Sequence, residues 1–485
     1  MRSIGSRRGW LSALLITAGS AFPAATLAQD APKHSPTASP QAEPVQPKLT
    51  PLDLARLEAA ADAECKWIIA RGAAPGVCIA VGRAGEVVFA RGYGRADIEN
   101  DVRVTTDSAF RIASVTKQFT AAAIMKLVES GKVKLDEPVR TYLPDTPEQY
   151  KAVTIRHLLS HTSGIPDFID QGRASELAAK VDVKYADIAG IVKDLPLEFE
   201  PGSKYAYCNT GYVMLGEVIA RVSGVPYREF LKRELLDPLG LTRTGYTSFR
   251  EIVPRRVRGY FDENGAFVNA RYLSPDIPGA SGALYSTAND LVKWTHLLHS
   301  AKVVSPESLK EMTTAATLNN GNHAEYGLGT QVMTRLGRPA FSHGGNGSGF
   351  SAFVSYWPGE DLTVVVLANG REVLPNLAGE TVVSAALGLS PPAALLTPEE
   401  LAQYEGTFTF NLGGRTFDLR VYPQDGNLVG HRAGNRPFRF FKRGEHRFVH
   451  EQDSDAEFTF TMNDGRATSL TLKNPRGEFA GQRKP

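Results

Sequence analysis

The sequence predicts an α+β fold, one antiparallel sheet flanked by helices and followed by a small all-β C-terminal domain, and three observations predict it. Apolar residues alternate at Val77, Ile79 and Val81, continue in Val87, Val88 and Phe89, and return over residues 350–357 and 362–367, either side of a Pro358-Gly359 turn. Helical periodicity fills the stretch between these strands, so a single sheet closed by pairing its first and last segments, with helices on its faces, accommodates them. Beyond Pro391 and Pro392 the helix signals nearly vanish, and short alternating runs (Phe417, Leu419, Val421; Phe458, Phe460, Met462) are separated by turn signals at Asp425-Gly426 and Asn463-Asp464-Gly465.

Taken in order, the chain opens with a basic start (Arg2, Arg7, Arg8), an apolar stretch from Trp10 to about Ala25, and the small residues Thr26 and Ala28 ahead of Gln29. This reads as a signal peptide over residues 1–28, which places the mature protein in the periplasm or outside the cell. Ser6-Arg7-Arg8-Gly9-Trp10-Leu11 resembles a twin-arginine export signal, although arginine pairs also occur in ordinary leaders. Pro23 interrupts the apolar stretch and no other run approaches the roughly 18 residues needed to cross a bilayer, so no stable membrane anchor is expected. Residues 29–50 are crowded with Pro, Ala, Gln, Ser and Lys, the composition of a flexible linker.

Folding is expected to begin near Leu52. Leu54, Leu57, Ala61, Cys65 and Ile68 recur at helical spacing ahead of the first hairpin. A long helix is predicted over 113–130, ended by Gly131 where left-handed backbone is wanted, with further helices over 211–221, 227–235 and, behind a Ser286-Thr287 cap, 288–298. The first folded domain is read as residues 51–392 and the second, a barrel or a sandwich, as 398–485.

Composition narrows the function classes. With 42% hydrophobic and 22% charged residues the chain is that of a soluble globular protein. Its formal net charge of +2 falls to −1 once the three leader arginines are removed, which gives no electrostatic case for nucleic acid. Cys65, Cys78 and Cys208 are too few for a disulfide framework; they allow one Cys65–Cys78 bridge or three buried thiols.

Three motifs carry chemistry. Ser114-Val115-Thr116-Lys117 opens the predicted long helix, and at three residues' separation hydroxyl and amine share a face, so the lysine reaches the serine proton. The amine must be neutral to act, and burial beside a helix start disfavours its charged form. Ala121, Ala122, Ala123 and Met125 leave that helix little polar surface, which draws Lys117 inward. In Tyr207-Cys208-Asn209, a phenol can pass protons to a leaving group and an amide can bind a substrate carbonyl. In His343-Gly344-Gly345-Asn346, two glycines on an edge strand permit close approach of a ligand backbone and the next N–H can complete an oxyanion hole.

In this order the motifs resemble those of the serine β-lactamase and penicillin-binding family, in particular the branch holding class C β-lactamases, DD-peptidases, D-aminopeptidases and related esterases. The resemblance covers about residues 52–390 and is strengthened by the run from His157 to Ile165 and by Gly282-Ala283-Leu284-Tyr285-Ser286-Thr287 ahead of Asp290. It implies a β-lactamase-like sheet, Ser114 as acylated nucleophile, Lys117 as base, Tyr207 as proton shuttle, Asn209 as substrate contact, and the Ser114 and Asn346 amides as oxyanion donors, with no cofactor or metal. His343 departs from the pattern, since that position is usually a lysine that receives a substrate carboxylate. A mostly neutral imidazole weakens such recognition and favours substrates whose recognised end is not a carboxylate. The expected function is an exported serine hydrolase working through an acyl-enzyme on small-molecule or peptide substrates, as esters, amides or peptides; the alternatives are a true β-lactamase and a penicillin-binding sensor that does not turn over.

Other features read as structural. His157 and His161 fit a hydrogen-bonded loop better than zinc, and the sequence Gly279-Ala280-Ser281-Gly282-Ala283 lacks the last glycine of a nucleophile elbow. Arg432, Arg436, Arg439, Lys442, Arg443 and Arg447, with nearby acids, read as a solvated strand face.

Overall fold

A computed structural model describes residues 51–485 apart from 172–176, 178–179, 181, 264, 272, 390–395, 413–414, 425, 452, 475–476 and 485. The signal peptide, the linker, and the Pro391-Pro392 boundary lie outside the described residues.

The sheet has seven antiparallel strands, and the pairing inferred from sequence stands at its centre. The first long strand, Gly76–Arg83, lies beside the last, Leu362–Ala368, with Cys78 opposite Leu367. Glu86–Asp97 and Val102–Arg103 extend one side; Phe350–Trp357, Arg338–Gly347 and Gln331–Arg335 extend the other. Side-chain alternation divides two cores. Val77, Ile79, Val81, Val364 and Val366 pack under the helices Leu54–Ala70 and Pro375–Ala386, while Cys78, Ala80, Val365 and Leu367 face the helical half of the domain. Burying both faces explains why Gly76–Arg83 and Leu362–Ala368 are apolar almost throughout.

That division decides the cysteine question. Cys65 belongs to one core and Cys78 to the other, with the sheet between them, so no bridge forms and all three cysteines are free and buried. The reading of three buried thiols holds.

The predicted helices appear with altered ends. The long helix is a 3-10 turn over Ala113–Val115 followed by Thr116–Glu129, and Gly131 after it has φ +71°. Asn209–Ser223 begins two residues earlier than periodicity indicated, and Tyr227–Leu231 runs into a π turn over Lys232–Leu236. Thr287 caps Ala288–His299 by accepting from the Asp290 N–H at 3.2 Å.

The C-terminal domain is a closed eight-stranded barrel, which settles barrel against sandwich. Its turn at Asn463-Asp464-Gly465 places Asp464 and Gly465 at φ +50° and +72°, the backbone that two-residue hairpins require. The short helix Pro398–Tyr404 leads into it.

The basic segment of the barrel is not simply a solvated face. Arg439 is buried and donates to both oxygens of Glu64 at 2.7 and 3.0 Å and to Glu451 at 3.1 Å, while Arg71 donates to Glu451 at 3.0 Å. Two cations from distant parts of the chain thus neutralise two anions beneath the surface, fastening the barrel to the Leu54–Ala70 helix. Replacing Arg439 by Ala leaves both carboxylates short of a partner, and removing one member of a buried pair costs about 3 kcal/mol or more. The R439A chain is therefore expected to unfold at lower urea than wild type by that amount, and an unchanged midpoint would show the network to be neutral.

Candidate active site

The 3-10 turn over Ala113–Val115 sets the geometry. Ala113 adopts φ +43°, an unusual conformation for a residue with a Cβ, and the following Ser114 stays partly exposed while its neighbours Ala113 and Val115 are buried. One turn on, Lys117 has no exposed surface at all. Its Nζ lies 3.1 Å from Ser114 Oγ, 2.9 Å from Asn209 Oδ1 and 2.8 Å from the Ser281 carbonyl oxygen.

Protonation follows from that shell. Burial brings the Lys117 pKa down to about 7, with Asp167 opposing the fall. A neutral amine has two N–H groups and one lone pair. Asn209 Oδ1 and the Ser281 carbonyl can only accept, so they take the two N–H groups and the lone pair is left facing the Ser114 hydroxyl, which donates to it.

Tyr207 comes to the same place from the segment ahead of Asn209–Ser223. Its ring centroid is 4.7 Å from Lys117 Nζ, and a hydrogen bond with Ser114 acts on its phenol. Burial of the phenolic end holds Tyr207 well above its ordinary range, so it stays protonated, although the residue keeps 39% of its surface exposed. Lys117, not a tyrosinate, is the group able to take a proton near neutral pH.

The His343-Gly344-Gly345-Asn346 strand borders the site. Its outer neighbour Gln331–Arg335 pairs only as far as Ser342, so among the described residues the strand is an open edge from His343 onward. The two glycines differ in role. A Cβ on Gly345 would lie 2.2 Å from the Ile112 carbonyl oxygen and 3.2 Å from the Ser114 nitrogen, so this glycine admits the Ser114 turn rather than a ligand. Gly344 and Asn346 are both exposed, and the Asn346 side-chain amide donates to the Arg371 carbonyl at 3.4 Å.

His343 is 3% exposed. Its Nδ1 lies 2.6 Å from the Gly344 carbonyl, which can only accept, so the proton sits there and Nε2 accepts from the Tyr326 hydroxyl at 2.8 Å. Burial and the nearby Lys117 push its pKa down to about 3. The imidazole is neutral and both nitrogens are engaged.

Several participants escaped the sequence reading. Asp167 Oδ2 accepts from the backbone N–H and the side-chain amide of Asn209, both at 2.8 Å, and so turns Asn209 Oδ1 toward Lys117. Ser281, within the glycine-rich stretch set aside above, supplies the carbonyl that holds Lys117. His161 is buried with φ +58°, accepts from the Cys208 N–H at 3.0 Å, and packs 4.3 Å from the Tyr207 ring. His157 caps its own short helix through Thr154, so both histidines belong to hydrogen-bonded structure. Among the described residues, no three or more His, Cys, Asp or Glu side chains gather as a metal site.

Asp167 yields a test. Asp167→Ala frees the Asn209 amide, and misplacement of this order costs about 10²-fold in rate. Because the Asp167 charge supports the Lys117 ammonium, its removal should also move the midpoint of the pH–rate profile to lower pH. A merely structural role would lower activity and leave that midpoint in place.

Comparison with known proteins places this geometry. The family model described as Beta-lactamase matches residues 54–387. Penicillin-binding protein 4* of Bacillus subtilis is 31% identical over 59% of the chain, which spans 66% of that relative's length. A D-aminopeptidase of Gluconobacter oxydans is 28% identical over 77% of the chain and 69% of its own length. Among solved structures, the octameric penicillin-binding protein homologue from Pyrococcus abyssi superposes with a TM-score of 0.65 at 25% identity, covering 88% of this chain and all of that one.

Proposed function

Because the chain belongs to the Beta-lactamase family, we propose that it is a serine hydrolase in which Ser114 is acylated, Lys117 removes its proton, Tyr207 relays that proton to the leaving group, and water releases the acid. The observation that carries this reading is the fully buried Lys117 amine, 3.1 Å from Ser114 Oγ with its N–H groups taken by carbonyl oxygens. The amides of Ser114 and Asn346 serve as oxyanion donors, and Asn209 contacts the substrate. Twenty-eight leader residues, with Gln29 as the mature N-terminus, direct the chain to the periplasm or beyond.

Substrate class follows from His343. A neutral imidazole with both nitrogens engaged offers no fixed charge to a carboxylate. Amides, peptides and esters whose recognised end is uncharged or cationic are the favoured substrates, and the D-aminopeptidase among the relatives supports amides. Tyr207, 39% exposed, provides ring surface beside Ser114.

The test is a panel of D-amino-acid amides, short-chain esters and cephalosporins, followed to steady state with Ser114→Ala as control. Sustained turnover of amides or esters, exceeding that of cephalosporins, is expected. A single stoichiometric burst with every substrate would overturn hydrolysis in favour of a sensor.

A further inference from the structure

The barrel has an interior that its own side chains do not fill. Eight strands enclose a space that is either packed solid or able to hold one small ligand. Here part of the interior is packed, with Tyr404 against Phe448 and Phe460 at 5.1 and 4.9 Å between ring centroids, and Phe408 against Phe460 at 5.7 Å. The remainder is a cavity of about 600 Å³ walled by Phe410, Leu419, Ala456, Phe458 and the partly buried Phe417 and Phe438. Arg71, Asp262 and Glu372 of the catalytic part join its lining. That volume is in the range of small-molecule sites.

The charges around it are unequal in their commitments. Arg71 is paired with Glu451, and Arg436 with Asp262 at 2.6 Å. Arg432 is exposed, its guanidinium carbon 4.2 Å from the centre of the Phe417 ring, and it meets no carboxylate among the described residues. The Glu372 carboxylate is likewise exposed and without an ion pair or hydrogen bond among the described residues; only its backbone oxygen is used, by Arg71. One unclaimed cation and one unclaimed anion therefore line an aromatic-walled cavity.

We propose that the barrel cavity binds a zwitterionic amino acid or short peptide with apolar side chains, its carboxylate on Arg432, its ammonium on Glu372 and its side chains against the phenylalanines. A purely apolar molecule would leave both charges unused, and a dianion would meet Asp262 and Glu372 as repulsive neighbours. Aromatic side chains suit the ring-lined wall best. The site is separate from Ser114 and stands or falls independently of the hydrolytic reading.

Calorimetric titration of the full chain carrying Ser114→Ala with phenylalanyl-phenylalanine tests this without hydrolysis. One saturable site is expected, with the Kd raised about tenfold by Arg432→Gln and about tenfold by Glu372→Gln, as expected for loss of one charge-assisted hydrogen bond. The N-acetylated dipeptide, which lacks the ammonium, should respond to Arg432→Gln and be indifferent to Glu372→Gln; the dipeptide amide should show the reverse. Both substitutions lie at exposed positions, so folding is preserved. Absence of saturable binding at millimolar peptide, or binding that neither substitution changes, overturns the proposal.

Discussion

Replacing Ser114 by Ala is expected to lower turnover of D-amino-acid amides and activated esters by at least about 10³-fold while leaving the thermal unfolding midpoint within a degree or two of wild type. Removal of a nucleophile acting with its base typically leaves only the residual catalysis of the oxyanion hole and binding. The small structural effect follows from the surroundings: Ser114 is partly exposed and its strained neighbour Ala113 is unchanged. Lys117 keeps Asn209 Oδ1 and the Ser281 carbonyl as partners after the hydroxyl is gone. Steady-state assays with thermal melts on the same preparation check both halves. Loss of activity accompanied by a large fall in midpoint would mean that Ser114 serves packing instead.

Replacing Lys117 by Met should have an effect of similar size on turnover, about 10³-fold, and an opposite effect on stability. In the unfolded chain this lysine titrates near its ordinary value of about 10.4, whereas in the folded protein its pKa is about 7. Between those values the unfolded state binds the extra proton, so the fold loses stability as pH falls from about 10 to about 7, and below 7 the loss is complete. Met has a similar shape and no charge, so K117M should melt no lower than wild type at pH 7, and higher relative to it at pH 6 than at pH 10. The catalytic consequence has the same origin. In wild type, kcat/KM should rise with pH through about 7 and level off as Lys117 becomes neutral; a profile falling through 7 would require the ammonium and contradict the assignment.

Much of this was legible because the chemistry is local. Ser114 and Lys117 sit one helical turn apart, and Tyr207 and Asn209 are separated by one residue, so the spacing alone put each pair on a shared face or turn. The sheet was legible for a different reason: strands buried on both faces are continuous apolar runs, as in Leu362–Ala368. What stayed hidden depends on distant partners. Lys117 meets the Ser281 carbonyl across 164 positions and Asn209 meets Asp167 across 42, and a backbone carbonyl leaves no mark in a sequence. Arg439 looked like one of several surface arginines because Glu64, which makes its burial tolerable, lies 375 positions earlier. Helices such as Ile155–Leu159 and Pro306–Met312 are too short for periodicity to show. The glycines at 344 and 345 were assigned one role, and only the approach of Ile112 separates them.

The central claim is that Ser114 is acylated with Lys117 as its base. Intact-mass analysis after treatment with a fluorophosphonate, repeated from pH 5 to pH 9 and followed by peptide mapping, addresses it directly. One adduct per chain is predicted, located on Ser114, forming faster as pH rises through about 7, and absent from Ser114→Ala. An adduct on another residue, or labelling that persists in that variant at the wild-type rate, would contradict it.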